Sequence, residues 1–380
     1  MINVFTGSPV FAEVDIAAFR HNMDAVKSLV NGKSRIIAVV KGDAYGHGAD
    51  VIAPEALKCG AEYLAVARLN EAVNLRKSGI DAPILLFGQS LPVYADEYIK
   101  YNLTVSVHSF KAAEALSDEA AKSGSVIPVH VKADTGMGRL GMTEEAADAA
   151  DLIRRIGDLP GVKVEGVYSH FANADCADKS HAEMQLHRFL EIKDKVLSCV
   201  SEAPLFHIAN SAAVMEFPES HLDMVRPGIM LYGLYPSSEM DRVKTVLKPV
   251  MSLKSQINQI KHVGPGFTVS YGSTHVTDRE SVIATVPAGY ADGYSRLLSS
   301  KGEMLVKGKR AAITGRVCMD LTMLDVSHIP DACEGDEVVL FGPQGDEFLG
   351  ADEIADITGT ISYEVVSAIT SRVPRVYINR

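Results

Sequence analysis

The feature that most constrains this chain is a short apolar run that recurs eight times before residue 227, with helical stretches between most copies. The first, RIIAVVK at 35–41, follows a stripe of Ile16, Phe19, Met23, Val26 and Val30 at helical spacing. The others lie at 63–67, 83–87, 103–107, 126–132, 162–169, 205–208 and 223–226. A strand buried on both faces has no polar side to alternate with, so it reads as a continuous apolar run. Amphipathic segments such as 109–124 and 179–200 supply the intervening helices. Eight alternating units predict an α/β fold, a TIM-type (β/α)8 barrel over residues 11–245.

Beyond residue 245 the pattern changes to period-two alternation broken by turn signals, GPG at 264–266, KGKR at 307–310 and EGDE at 334–337. This predicts a mainly β C-terminal domain over 246–380, with short helices at 351–357 and 362–370 and with residues 1–10 packing on it. A chain of 380 residues has the length for two cores. No apolar run approaches the roughly 18 residues of a membrane helix, so no membrane partner is expected. The start, MINVFTGSPVFAEVD, lacks a basic leader, which predicts a cytoplasmic protein. The five cysteines are odd in number and form no C-x-x-C pair, so neither a disulfide framework nor a metal site is expected. A net charge of -11 opposes binding to nucleic acid.

In such a barrel the chemistry collects at the C-terminal ends of the strands. Lys41, Lys132, His170 and Arg226 end predicted strands, and Asn210, Ser211, Gly228 and Ile229 follow others, so the unusual polar residues fall on one rim. Lys41 heads KGDAYGHG, whose small residues keep the loop tight and let a ligand approach the backbone. Burial lowers a lysine pKa from about 10.4 and makes a reactive amine. A lysine that snorkels from a strand end to water fits the spacing equally well.

AVVKGDAYGHG resembles the cofactor-lysine motif of alanine racemases, with Gly42 where alanine is commoner. KADTGMGRLG (132–141), YSHFANAD (168–175), HIANSAA (207–213), RPGIMLYGLYP (226–236), VSYG (269–272), GYADGYSR (289–296), GRVCMD (315–320) and SYEVVSAITSRVPRVY (362–377) resemble further blocks of that family in order. The resemblance implies a pyridoxal 5'-phosphate enzyme that interconverts L- and D-alanine by two bases and supplies D-alanine for peptidoglycan. Lys41 would hold the cofactor through its aldehyde and act as one base. Tyr271 would be the other, on the opposite face of the amino acid, with His170 behind it. Arg226 would face the pyridine nitrogen, and Tyr45, Ser211, Tyr363 and the amides of Gly228 and Ile229 would hold the phosphate, in a pocket that includes Asn210. Arg139 and the Met319 amide would bind the substrate carboxylate, and Lys132 would be carbamylated beside Arg139. Asp175, Tyr290 and Arg296 would line a narrow entrance. Tyr271 and Met319 would come from a partner subunit, giving a homodimer with shared active sites. Leu321 and Ser362 depart from the commoner family residues.

Taken singly, these residues have plainer readings: Tyr271 a packing tyrosine, Arg226 a rim ion pair, Ser211 a helix cap, Lys132 and Arg139 solvated cations. Four other functions share parts of the pattern: a serine or broader racemase, a non-catalytic pyridoxal-phosphate-binding protein, a basic-amino-acid decarboxylase and a Schiff-base aldolase. The β domain disfavours the binding protein, Arg226 the decarboxylase, and the phosphate set the aldolase.

Overall fold

A computed structural model describes residues 7–88 and 90–380. Their contacts divide them into two units: a barrel unit of Arg20–Ala44 and Ala49–Lys248, and a β unit made of the residues up to Phe19, Tyr45–Gly48 and Pro249–Arg380.

The barrel unit is built on eight parallel strands, Arg35–Val39, Tyr63–Val66, Ile84–Leu86, Thr104–Val107, Ile127–Lys132, Val162–Tyr168, Leu205–His207 and Met224–Val225, each beside the next in the chain for the first seven. The eighth pairs with the first, Arg35 opposite Met224 and Ile36 opposite Val225. Between the seventh and eighth the ring is joined by the Asp223 amide on the Phe206 carbonyl at 3.1 Å and the Arg226 amide on the Ala209 carbonyl at 3.0 Å. Every predicted strand is therefore present, shorter than predicted by a residue or two at one or both ends. Ala38, Leu64, Ala65, Ile84, Leu85, Val105, Val129 and Val131 are fully buried, which is why these segments read as unbroken apolar runs. The helices Phe110–Lys122 and Ser180–Cys199 occupy the two predicted amphipathic segments.

The β unit carries the extended sheet, in the order Gln259–Val263, Ser281–Val286, Thr322–Asp325, Lys309–Ile313, Glu303–Val306, Glu337–Gln344, Met251–Gln256, Phe11–Asp15, Arg375–Ile378. One boundary needs correction. The expected barrel began at residue 11, but Phe11–Asp15 is a strand of this sheet, antiparallel to Met251–Gln256 and parallel to Arg375–Ile378. Its inward residues Ala12 and Val14 are fully buried between these neighbours. The Ser255 hydroxyl donates to the Pro9 carbonyl at 3.0 Å, so Pro9 is tied to a strand of this sheet. The part of that expectation covering residues 1–6 falls outside the described residues. Short helices occur at Ala351–Thr358 and Ser362–Ser367. Among the described residues, no helix is long and apolar enough to cross a membrane.

Candidate active site

Within the barrel unit, Arg226 sits one residue beyond the eighth strand and is only 3% exposed. Its guanidinium donates to His207 Nδ1 at 2.7 Å, to His170 Nδ1 at 3.1 Å, and to the carbonyls of Ser169 and Ile208 at 2.7 and 3.0 Å. An arginine can only donate, so both imidazoles accept at Nδ1 and carry their protons on Nε2. His207 Nε2 then donates to His130 Nδ1 at 2.8 Å. Burial, with the Arg226 charge, holds His170 and His207 well below the ordinary 6.5 and His130 at about 3. Three neutral rings therefore surround one cation. Arg226 itself is lowered by burial to about 10 and stays protonated at neutral pH.

Lys132 ends the fifth strand, 4% exposed, with Nζ 5.3 Å over the Tyr168 ring and without a hydrogen-bond partner among the described residues. Burial first, then Arg226, brings its pKa down to about 8. Lys41 stands just past the first strand, and its pKa is lowered by burial and by Arg139, with Glu71 acting the other way. The backbone after it is a left-handed turn: φ is 63° at Gly42, 54° at Asp43 and Ala44, and 53° at Tyr45. Each L-residue in that region costs about 1–2 kcal/mol, so this loop is shaped against local preference. Arg139 is exposed at the end of a loop caged by Asp134, whose carboxylate accepts from the amides of Gly136, Met137, Gly138 and Arg139 at 2.8–3.1 Å. Burial works against Asp134 ionising, but the four amides outweigh it and its pKa falls.

Ser211 Oγ accepts from the amides of Gly228 at 2.8 Å and Met230 at 3.4 Å, which joins the expected phosphate-side hydroxyl to the Gly228–Ile229 turn. Asn210 Oδ1 caps the helix Ser211–Glu216 through the Ala213 amide at 3.1 Å. The Asp175 carbonyl accepts from the Ser237 hydroxyl at 2.6 Å.

The other candidates belong to the β unit. Tyr45, expected in the barrel domain, groups here, buried, with its ring 6.2 Å from that of Tyr363 on the helix Ser362–Ser367. Tyr271 opens a 3-10 turn and is 71% exposed, following Ser270 at φ 69°. Tyr290 and Met319 are also exposed, and the loops bearing them are laced together by the Tyr290 amide on the Cys318 carbonyl and the Ala291 amide on the Met319 carbonyl, both at 3.0 Å. Arg372 adds a second tie, donating to Asp292 at 2.6 Å and to Asp320 at 2.8 Å. Arg296, itself exposed, begins another 3-10 turn.

The structure thus gathers Lys41, Lys132, Arg139, His170 and Arg226 in one unit, and Tyr45 with Tyr363, and Tyr290 with Met319, in the other. Sequence reasoning missed His130, His207, Asp134, Glu71, Asp292 and Arg372. The two histidines had a signal, being polar residues inside apolar strand runs. Asp134 had another, an acidic residue just ahead of a glycine turn. The Arg372 ties join residues 80 and 52 positions apart, and no local pattern contains them.

Comparison with known proteins agrees with this arrangement. Residues 14–236 match the family "Alanine racemase, N-terminal domain", and residues 250–377 match "Alanine racemase, C-terminal domain". An alanine racemase from Desulfosudis oleivorans is 50% identical over 378 residues, covering 97% of this chain and 96% of that protein. One from Desulforamulus reducens is 49% identical, covering 97% and 99%. The solved alanine racemase of Clostridium difficile 630 superposes with a TM-score of 0.92 at 39% identity, covering 98% of this chain and 96% of its own. That of Streptomyces coelicolor A3(2) gives 0.93 at 37% identity, with both chains covered in full. With both domains matched in order across its length, the chain belongs to the alanine racemase family of enzymes.

Proposed function

We propose that the chain interconverts L-alanine and D-alanine with pyridoxal 5'-phosphate held on Lys41, in a homodimer whose sites are shared between subunits, and that it supplies D-alanine for peptidoglycan in the cytoplasm. The observation that carries this reading is the buried Arg226 cluster beside two lysines of lowered pKa. Within the barrel unit the donor set fits the cofactor: an amine able to lose its proton, a permanent cation for the ring nitrogen, and the Ser211 hydroxyl on the turn of Gly228 and Ile229 for the phosphate, to which Tyr45 and Tyr363 of the β unit would add their hydroxyls. When bound, pyridoxal phosphate draws electron density from the amino acid and acidifies its α C–H.

This chain's residues would then move the proton. Lys41 takes or returns it on one face, and Tyr271 does so on the other, because inversion requires two groups that face each other across the reacting carbon. Burial favours the neutral amine of Lys41, the form that accepts a proton. His170 is neutral with Nε2–H directed away from Arg226, so it is a donor that can stabilise the oxygen of a tyrosinate. Arg226 keeps its proton and would face the ring nitrogen, where a permanent cation would disfavour protonation of that nitrogen and so favour return of the proton to the α carbon over side reactions. Arg139 and the Met319 amide orient the substrate carboxylate, while Asp175, Tyr290 and Arg296 restrict entry to small amino acids.

Lys132 is buried, partly neutral near pH 8, and close enough to Arg226 and Arg139 to feel both charges. Carbamylation would convert that like-charge cluster into an ion pair. Tyr271, Tyr290, Met319 and Phe267 of the β unit are each exposed, which leaves them open to cover by a second subunit. Borohydride reduction of the holoenzyme followed by peptide mapping, with D/L assays on alanine and serine, tests the proposal. The expected result is a cofactor-labelled Lys41 peptide and racemisation of alanine in preference to serine. Label on a different peptide, or no α-proton exchange, would overturn it.

A further inference from the structure

The left-handed turn after Lys41 has an external support. Glu71, near the start of the helix Leu69–Lys77, accepts on Oε2 from the amides of Ala67 and Arg68, both at 2.9 Å. Those two bonds alone would make it an ordinary helix cap. Its other oxygen reaches across to the first barrel loop, where Oε1 accepts from the Gly42 amide at 2.5 Å. Gly42 is the first residue of the turn, the peptide next to Lys41, and 29 positions from Glu71 in the chain. One carboxylate therefore ties the loop after the second strand to the loop that carries the amine.

The geometry points to Glu71 as a positioning residue for Lys41: by holding the Gly42 amide it fixes the left-handed turn and with it the direction of the Lys41 side chain. This inference rests on the reading of Lys41 as the cofactor-bearing base. Residues in this backbone region persist only when their surroundings hold them there, and a carboxylate is a strong acceptor for an amide. Asp43 contributes at the far side of the turn, accepting from the Ala49 amide at 2.8 Å. Glu71 is also the acidic group whose charge acts on Lys41, opposing the effects of burial and Arg139.

The test is Glu71→Gln in the holoenzyme, which keeps the side-chain volume but cannot accept with both ends, and Glu71→Asp, which keeps the charge but is too short to span both loops. Amide hydrogen exchange at Gly42, read by NMR with selectively labelled glycine, should accelerate about tenfold or more in both variants while the barrel-strand amides stay protected. Turnover should fall by about tenfold to a hundredfold in both directions, with KM changed by less than about threefold, because the amine is misdirected and substrate binding is not. A plain helix cap would instead loosen the amides of Leu69–Lys77 and leave Gly42 exchange and kcat as they were, and that outcome overturns the inference. Borohydride trapping on the same samples separates the two claims. Label on Lys41 with unchanged Gly42 exchange and kcat defeats the role of Glu71 alone, whereas label elsewhere defeats the reading of Lys41 and this inference with it.

Discussion

The barrel rim and the loops of the β unit hold their polar groups in opposite ways. On the rim, Arg226 is 3% exposed, each of its contacts is specified, and three neutral histidines are aligned around it. In the β unit, Tyr271 is 71% exposed and Met319 53%, although the loops bearing Tyr290 and Met319 are tied by backbone bonds and by Arg372. The difference separates a preorganised charge cluster, complete within its own unit, from side chains that the β unit leaves exposed on loops tied to one another. A buried cation among neutral rings has a fixed proton arrangement before any ligand arrives.

Acid should break this contrast on the rim side first. His130, His170 and His207 have folded pKa values below the ordinary 6.5, so the unfolded chain binds more protons once the pH drops under that value. The stability they contribute is complete above 6.5 and is lost as the pH falls toward about 3, the folded value of His130. The slope is about 1.4 kcal/mol per pH unit for each ring, or about 4 kcal/mol for the three. Urea unfolding between pH 7 and 5 should show it, and a flat profile would mean that the rings are not held neutral.

Tyr271→Phe removes one hydroxyl from the exposed side and should lower turnover by about a hundredfold or more, with α-proton exchange from L-alanine hit hardest and the unfolding midpoint unmoved. Gly166→Ala tests the rim by packing. A Cβ there would lie 2.7 Å from the His130 ring, so the variant should lose about 1–3 kcal/mol in urea melts and disturb the His207 tautomer seen by nitrogen NMR. Gly42→Ala is the mildest. Space is open around its Cβ, so only the backbone at φ 63° resists, and a loss of about 1 kcal/mol is expected.

Much of this was legible in the sequence because parallel barrel strands are buried on both faces, so composition alone marks RIIAV or IPVHVK. The strand FAEVD was not legible as part of the β unit, since its partners lie near residues 251–254 and 375–378. The same distance hides Arg372, whose two aspartates lie on separate loops. Lys41 was legible by its position at a strand end, whereas its left-handed turn was not: Ala44 and Tyr45 are not residues that announce a positive φ. Tyr271 gained its meaning only from the family resemblance, because an exposed tyrosine in a turn carries no chemical signature of its own.

In the proposed homodimer the two bases of one site come from two copies of the chain, and complementation between two inactive variants puts this to the test. Lys41→Ala and Tyr271→Phe chains, each nearly inactive alone, are differently tagged, refolded together, and the heterodimer is isolated. If the site is shared, one of its two sites carries both substitutions and the other carries neither, so activity should return to about half that of the wild-type dimer. A heterodimer no more active than its parents would place both bases in one chain and contradict the account.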